Sequence, residues 1–87
     1  PEKMKELIQI QRLFIDENKL IDISILKYLI NLKVLSLSGN PSLNSFETIW
    51  NCTCLEELNL SNNNIKLVSP NIKNLINLKV LNLNNNK

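Results

Sequence analysis

Histidine and alanine are absent from this 87-residue sequence, and glycine and arginine occur once each, as Gly39 and Arg12. Without histidine, the chain lacks the side chain that proteins use most often as a metal ligand and for proton transfer near neutral pH. A single glycine excludes a glycine-rich phosphate-binding loop. No nucleophile stands beside a base at a recognisable spacing. These absences predict that the chain is not an enzyme and binds neither a cofactor nor a metal.

A strong charge imbalance and long apolar runs are also missing. The formal net charge is +2, from ten basic and eight acidic residues, and these are spread too evenly to form a basic patch for nucleic acid. No apolar run approaches the roughly 20 residues that a membrane-spanning helix needs. We therefore expect a partner other than nucleic acid and a chain without a membrane span.

Cysteine is scarce, and the two cysteines, Cys52 and Cys54, are separated by a single residue. A disulfide between them would be badly strained, and two thiols without histidine cannot complete a four-ligand zinc site. Reduced thiols are typical of a reducing compartment. The sequence thus predicts a cytoplasmic location, with the extracellular space or the cell surface as the alternative.

One segment recurs four times along the chain. The copies begin at Ile10, Leu32, Leu55 and Leu78 and read IQRLFIDENKL, LKVLSLSGNPSL, LEELNLSNNNI and LKVLNLNNNK. They are 22, 23 and 23 residues apart, with apolar residues at the first, fourth and sixth positions and asparagine at the ninth. A fixed period of about 20–50 residues indicates a solenoid or another repeat architecture.

Each repeat combines two periodicities. Alternation such as Leu35-Ser36-Leu37 has the period of a half-buried strand, and strands that return in the same direction after a crossover pair in parallel. The second halves place apolar residues three or four positions apart, which predicts short helices or 3₁₀ turns. These apolar residues are Ile23, Leu26 and Leu29, then Phe46, Ile49 and Cys52, then Val68, Ile72 and Leu75.

The repeat resembles the leucine-rich repeat family, whose pattern is L-x-x-L-x-L-x-x-N-x-L. The resemblance implies an α/β right-handed solenoid, or horseshoe, with a parallel β-sheet on its concave face and short helices or 3₁₀ turns on its convex face. Residues 1–87 then form a single segment with repeats 10–31, 32–54, 55–77 and a partial 78–87, preceded by the tail of an earlier repeat at 1–9. We expect a longer parent protein whose flanking repeats cover the apolar ends.

The recurring asparagine lies where each strand turns away. Its side chain offers two donors and an acceptor, so stacked repeats allow its amide to satisfy turn backbone groups in its own repeat and the next. The family resemblance identifies this column as a structural asparagine ladder. Its predicted members are Asn18, Asn40, Asn63 and Asn86.

The concave face is the default binding surface of a solenoid. Its outward strand positions, which we predict to contact a protein partner, are Arg12, Phe14, Asp16, Val34, Ser36, Ser38, Glu57, Asn59, Ser61, Val80, Asn82 and Asn84. Phe14 and Arg12 form the predicted anchor pair, because aromatic residues and arginine are enriched at binding hot spots. The alternative is that Phe14 packs against an element that precedes it.

A second predicted contact lies on the convex side. Trp50 takes the position that Lys27 and Lys73 occupy in the adjacent repeats, so an exposed Trp50, with Tyr28, would form a patch there. The alternative is that the indole lies flat over neighbouring side chains.

The resemblance is to the 22–23-residue repeats of cytoplasmic leucine-rich repeat proteins. It implies an interaction module or scaffold in a larger intracellular assembly. One alternative is a ligand-recognising ectodomain segment of a surface receptor or adhesin, which glycan on Asn51 would favour. Another is a regulatory leucine-rich repeat region of a larger enzyme.

Overall fold

The computed structural model describes residues 7–17, 22–43 and 45–86. Within these ranges, strands alternate with 3₁₀ helices along the chain. The elements are β1 (Arg12–Phe14), η1 (Ser24–Tyr28), β2 (Val34–Ser36), η2 (Glu47–Asn51), β3 (Glu57–Asn59), η3 (Pro70–Asn74) and β4 (Val80–Asn82). The strands form one parallel sheet in the order β1-β2-β3-β4, so each repeat lies beside the one that follows it.

Equivalent residues of the four repeats face one another across this sheet. Leu13 pairs with Leu35, Leu35 with Leu58, and Leu58 with Leu81. This register places the same face of every strand inward, because a shift of one residue would reverse it. The predicted α/β solenoid with a parallel sheet is confirmed.

The connecting segments are 3₁₀ helices because their apolar residues recur every third position. In the first, backbone N–H groups of Leu26, Leu29 and Leu32 donate to the carbonyls of Ile23, Leu26 and Leu29, at 3.0, 3.0 and 3.2 Å. Side chains three residues apart lie on one side of a 3₁₀ helix, and all four of these are buried. Phe46, Ile49, Cys52 and Leu55 repeat the arrangement with η2.

The third 3₁₀ helix begins with a capped proline. The Ser69 side chain accepts a hydrogen bond from the backbone N–H of Asn71 at 3.1 Å, and Pro70 occupies the first helical position, where its missing N–H costs nothing. Ser69 therefore occupies the first position of the three-residue spacing that continues with Ile72 and Leu75, whose N–H groups donate to the carbonyls of Ser69 and Ile72. Val68, which the sequence pattern grouped with Ile72 and Leu75, precedes the cap and is 41% exposed.

The strands end in turns where the backbone is left-handed. Glu17, Gly39, Asn62 and Asn85, at the same position of each repeat, have φ values of 52°, 75°, 57° and 60°. Asparagine and glycine adopt this region at little cost. After Gly39, Asn62 and Asn85, the turn directs the next residue, Asn40, Asn63 or Asn86, toward the interior.

The core lies between the sheet and the 3₁₀ helices. Leucines of the inner repeats fill it, and Leu35 and Leu58 are each 1% exposed, whereas the equivalent Leu81 on β4 is 39% exposed. In the described ranges, no helix has the length and apolar character needed to cross a membrane.

Candidate functional site

The outward side chains of the sheet form three rows that run across the strands. Strand register defines the first two, and the third lies two residues further along each chain segment. The basal row is Arg12, Val34, Glu57 and Val80. The middle row is Phe14, Ser36, Asn59 and Asn82, and the edge row is Asp16, Ser38, Ser61 and Asn84. The structure thus brings all twelve predicted contact residues onto one side of the sheet.

The basal row alternates charge with apolar surface. Arg12, Glu57 and Val80 are exposed and Val34 is half-buried. The ion pair found among the described residues joins Lys79 to Glu56 at 3.7 Å. Within that part of the chain, neither Arg12 nor Glu57 forms an ion pair, so the row presents one positive and one negative group to solvent.

Phe14 is the most exposed aromatic residue of this face, with 62% of its surface accessible. Phe14, Val34, Glu57, Val80 and Asn82 border an open depression of about 230 Å³. An exposed aromatic ring beside an apolar depression is a feature that binding sites share.

The edge row is held by hydrogen bonds within and between repeats. Asp16 Oδ1 accepts from the Ser36 hydroxyl and, at 3.0 Å, from the backbone N–H of Ser38. Asn59 Oδ1 accepts from the backbone N–H and the hydroxyl of Ser61, at 3.0 and 2.8 Å. The Ser38 and Ser61 hydroxyls lie 2.9 Å apart. Two of the side chains held by these bonds, Ser36 and Asn59, border the depression.

Two of the predicted contact residues are not accessible. Ser36 and Ser61 are each 6% exposed, because each small side chain lies beneath the larger Asp16 or Asn59 to which its hydroxyl donates. The prediction that these two serines face a partner is corrected. Their role is to hold Asp16 and Asn59 in place.

The asparagine column crosses the turns at the end of the strands. Asn63 Oδ1 accepts from the backbone N–H of Asn40 at 2.8 Å, and its Nδ2 donates to the carbonyls of Leu37 and Leu60 at 3.2 and 3.0 Å. One coil later, Asn86 Nδ2 likewise donates to the carbonyls of Leu60 and Leu83, at 2.9 and 3.0 Å, while its Oδ1 accepts from the N–H of Ile65 at 3.0 Å, two residues beyond Asn63. Asn18 lies outside the described residues. Each of these amides therefore joins its own turn to the preceding repeat.

The Leucine Rich Repeat family profile matches the chain twice, at residues 31–52 and 54–75. The chain belongs to the leucine-rich repeat family. No curated protein matches this leucine-rich repeat chain.

Solved leucine-rich repeat structures are similar to the chain over nearly all its length. An internalin from Listeria monocytogenes shares 32% identity over 95% of this chain, with a TM-score of 0.87. A leucine-rich repeat protein from Leptospira interrogans shares 33% identity over 100% of the chain, with a TM-score of 0.85. The chain spans only 24% and 22% of those two proteins.

Trp50 differs from its counterparts on the convex side of the leucine-rich repeats. It is 4% exposed, while Lys27 and Lys73 are exposed, so Trp50 does not provide an exposed convex contact, and the alternative, an indole packed over neighbouring side chains, agrees with its burial. A lysine keeps its ammonium in water, whereas burial of the large indole ring is favourable. The ring borders a cavity of about 250 Å³ with Phe46 and Ile72, and among the described residues its Nε1 has no hydrogen-bond partner.

Tyr28 remains at the surface of the convex side. It is 37% exposed, and the Lys27 ammonium lies 5.1 Å from the centre of its ring. Because Trp50 is buried, the two aromatic residues do not form a shared exposed patch.

Both cysteines of the leucine-rich repeat segment are free thiols. Cys52 occupies the position of Leu29 and Leu75 in the neighbouring repeats and is 1% exposed. Burial, with a smaller contribution from Cys54, raises the pKa of the Cys52 thiol from 9.0 to about 11. Cys52 therefore packs as a small apolar side chain.

Proposed function

We propose that this chain is a non-enzymatic protein-interaction module that binds a protein partner through the outward face of its sheet, within a larger intracellular assembly. The observation that carries the proposal is the exposed Phe14 ring beside Arg12, at the margin of the depression that Val34 and Val80 also border. Aromatic residues and arginine supply much of the binding energy at protein interfaces.

Hydrogen bonds that hold side chains of the middle and edge rows give further support. Side chains that are already fixed lose less conformational freedom when a partner binds, and Asp16, Asn59 and Asn82 each accept a backbone N–H. Solenoids of this kind generally present such a surface to their ligands.

Affinity purification from the native source, with mass spectrometry, would identify the partner for a binding experiment. We expect Phe14→Ala to weaken binding of that partner by about tenfold or more, which corresponds to loss of a hot-spot residue. Tyr28→Ala is the matched control, because Tyr28 is an exposed aromatic residue on the opposite side. A loss confined to Tyr28→Ala would place the interface on the convex side and contradict the proposal.

A cytoplasmic location is part of the same proposal. The free thiols of Cys52 and Cys54 support it, because such thiols persist in reducing compartments. Mass spectrometry of the native protein should find Asn51 unmodified. A glycan on Asn51 would favour the surface-receptor alternative instead.

The division into repeats 10–31, 32–54, 55–77 and 78–87 remains a prediction, as does the presence of flanking repeats. Exposed apolar residues beside β4 support packing of another coil there. Leu67 is 90% exposed and borders the same cavity as Leu81 and Leu83. In the native protein, amide hydrogens of β4 should then exchange as slowly as those of β3; faster exchange in β4 would contradict the proposal.

A further inference from the structure

We infer that the partner presents an α-helix that lies across the strands, with an acidic, an apolar, a basic and a second apolar residue on successive turns of one face. The inference rests on the proposed function, because it names the chemistry of the element that the sheet face binds. It follows from the order and spacing of the basal row, Arg12, Val34, Glu57 and Val80.

The spacing of the basal row is set by the sheet. Arg12 pairs with Val34, Val34 with Glu57, and Glu57 with Val80. Adjacent strands lie about 4.8 Å apart, so the backbone positions that carry the positive and the negative group are separated by two strands, or about 10 Å.

A helix matches this spacing better than a strand does. One helical turn rises about 5.4 Å, and residues seven apart lie on one face about 10.5 Å from each other. In an extended strand, side chains of one face repeat every 6.6 Å or so, which matches neither the single nor the double strand spacing. A helix that runs along the basal row, across the strands, therefore keeps its charged and apolar side chains in step with those of the row.

The charges of the basal row are available to a partner. Arg12 and Glu57 are exposed and form no ion pair within the described ranges. Of the charged residues nearby, Glu56 pairs with Lys79 on the side where the strands begin, and Asp16 accepts hydrogen bonds from Ser36 and Ser38 at the opposite edge. The exposed Lys33 lies one residue before Val34 and is not a member of the basal row, so an acidic side chain over Arg12 and a basic one over Glu57 complement the two charges of the row itself.

The apolar positions have matching contacts. The depression of about 230 Å³ lies between Phe14, Val34 and Val80, and its floor includes the buried Ser36. The depression beside Phe14 and Val34 has room for an aliphatic side chain that leaves the helix one turn from the acidic residue. The second apolar residue then contacts Val80, which is 52% exposed.

The test uses the full chain and a designed helical peptide with Glu, Leu, Lys and Leu at positions i, i+4, i+7 and i+11. A control peptide of the same composition has Glu and Lys five positions apart, on different sides of the helix. A second control carries a central proline, which breaks the helix. Fluorescence anisotropy should show binding of the designed peptide and at least about tenfold weaker binding of both controls, which corresponds to the loss of one close charge pair or of the helix.

Charge reversal in the protein identifies the contact. Glu57→Lys should weaken binding of the designed peptide by about tenfold or more. A peptide with Glu at both i and i+7 should restore binding to that variant. Glu47→Lys is the matched control, since Glu47 is an exposed acid on the 3₁₀ side, and it should leave binding unchanged.

Failure of this inference is distinguishable from failure of the proposed function. If Phe14→Ala weakens binding of the native partner but the designed peptide does not bind, the partner does not present this helix. That result overturns the inference and leaves the proposed function standing. Equal binding of the proline peptide would show an extended ligand and would also overturn it. Peptide binding that Glu57→Lys leaves unchanged contradicts the assigned contact.

Discussion

Leu58 and Leu81 occupy the same position of neighbouring repeats, yet Leu58 is 1% exposed and Leu81 is 39% exposed. The local sequences, LEELNLSNN and LKVLNLNNN, have the same residue at six of nine positions, including every leucine. β3 has a strand on each side, whereas β4 pairs with β3 alone among the described strands. Burial in this solenoid is therefore supplied by the neighbouring coil, while the sequence of a coil sets its own strand and turn.

The largest expected difference between the two regions concerns these leucines. Leu58→Ala should lower the free energy of unfolding by about 2–5 kcal/mol, because it removes a fully buried side chain and leaves a cavity. Leu81→Ala should lower the free energy of unfolding by about 1–2 kcal/mol, since a smaller part of the Leu81 side chain is buried when the chain folds. Equilibrium urea unfolding of the full chain measures both. Equal losses would show that a residue's own coil, and not its neighbours, determines its contribution.

The asparagine column allows the same comparison for buried polar groups. Asn63→Leu should lower stability by about 1–3 kcal/mol, because it leaves the buried Asn40 N–H without its acceptor and removes one of the two side-chain donors from the Leu37 and Leu60 carbonyls. Asn86→Leu should cost less, since Asn86 is only partly buried and water can replace its bonds. Thermal unfolding distinguishes the two variants. An unchanged midpoint in Asn63→Leu would show that the column does not stabilise the turns.

The sequence predicted the strands and their register because both follow from the repeat itself. Leu13, Leu35, Leu58 and Leu81 occupy one position of the repeat and one row of the sheet. The 3₁₀ segments followed from apolar residues three positions apart, such as Ile23, Leu26 and Leu29. Any feature shared by all copies could be predicted in this way.

Features that differ between copies could not be predicted. Comparison with Lys27 and Lys73 suggested an exposed Trp50, but position alone does not account for a ring that gains from burial. The alternation of apolar and polar residues predicted that Ser36 lies on the outward face, and it does. Its burial, however, depends on Asp16, which belongs to the preceding repeat. The outward rows of the site were thus predictable, while the accessibility of their members was not.

Cys52 allows a smaller test of how burial affects stability. It is an ionisable residue at the position that leucine occupies in the neighbouring coils. Its pKa is raised to about 11 in the folded chain against 9.0 ordinarily. Folding favours the neutral thiol. The stability that Cys52 contributes is therefore fully present below its ordinary pKa of 9.0 and is lost as the pH rises toward its pKa in the folded chain. At pH 10 the loss should be about 1 kcal/mol relative to pH 8.

Urea unfolding at both pH values measures this loss for Cys52. Wild type should lose about 1 kcal/mol more than Cys52→Ala between pH 8 and pH 10, and Cys54→Ala should behave much like wild type because it keeps the buried thiol. Parallel pH dependence of wild type and Cys52→Ala would show that the thiol is hydrated in the folded chain.

The smallest expected effect on stability is that of Phe14→Ala. Phe14 is 62% exposed, and substitutions at exposed positions usually change the free energy of unfolding by less than about 0.5 kcal/mol. Urea unfolding of the full chain checks this. A loss above about 1 kcal/mol would mean that the ring packs against another part of the chain, which is the alternative to an anchor residue. With stability unchanged, any loss of partner affinity in Phe14→Ala can be attributed to the contact itself, because the fold that presents the neighbouring rows is intact.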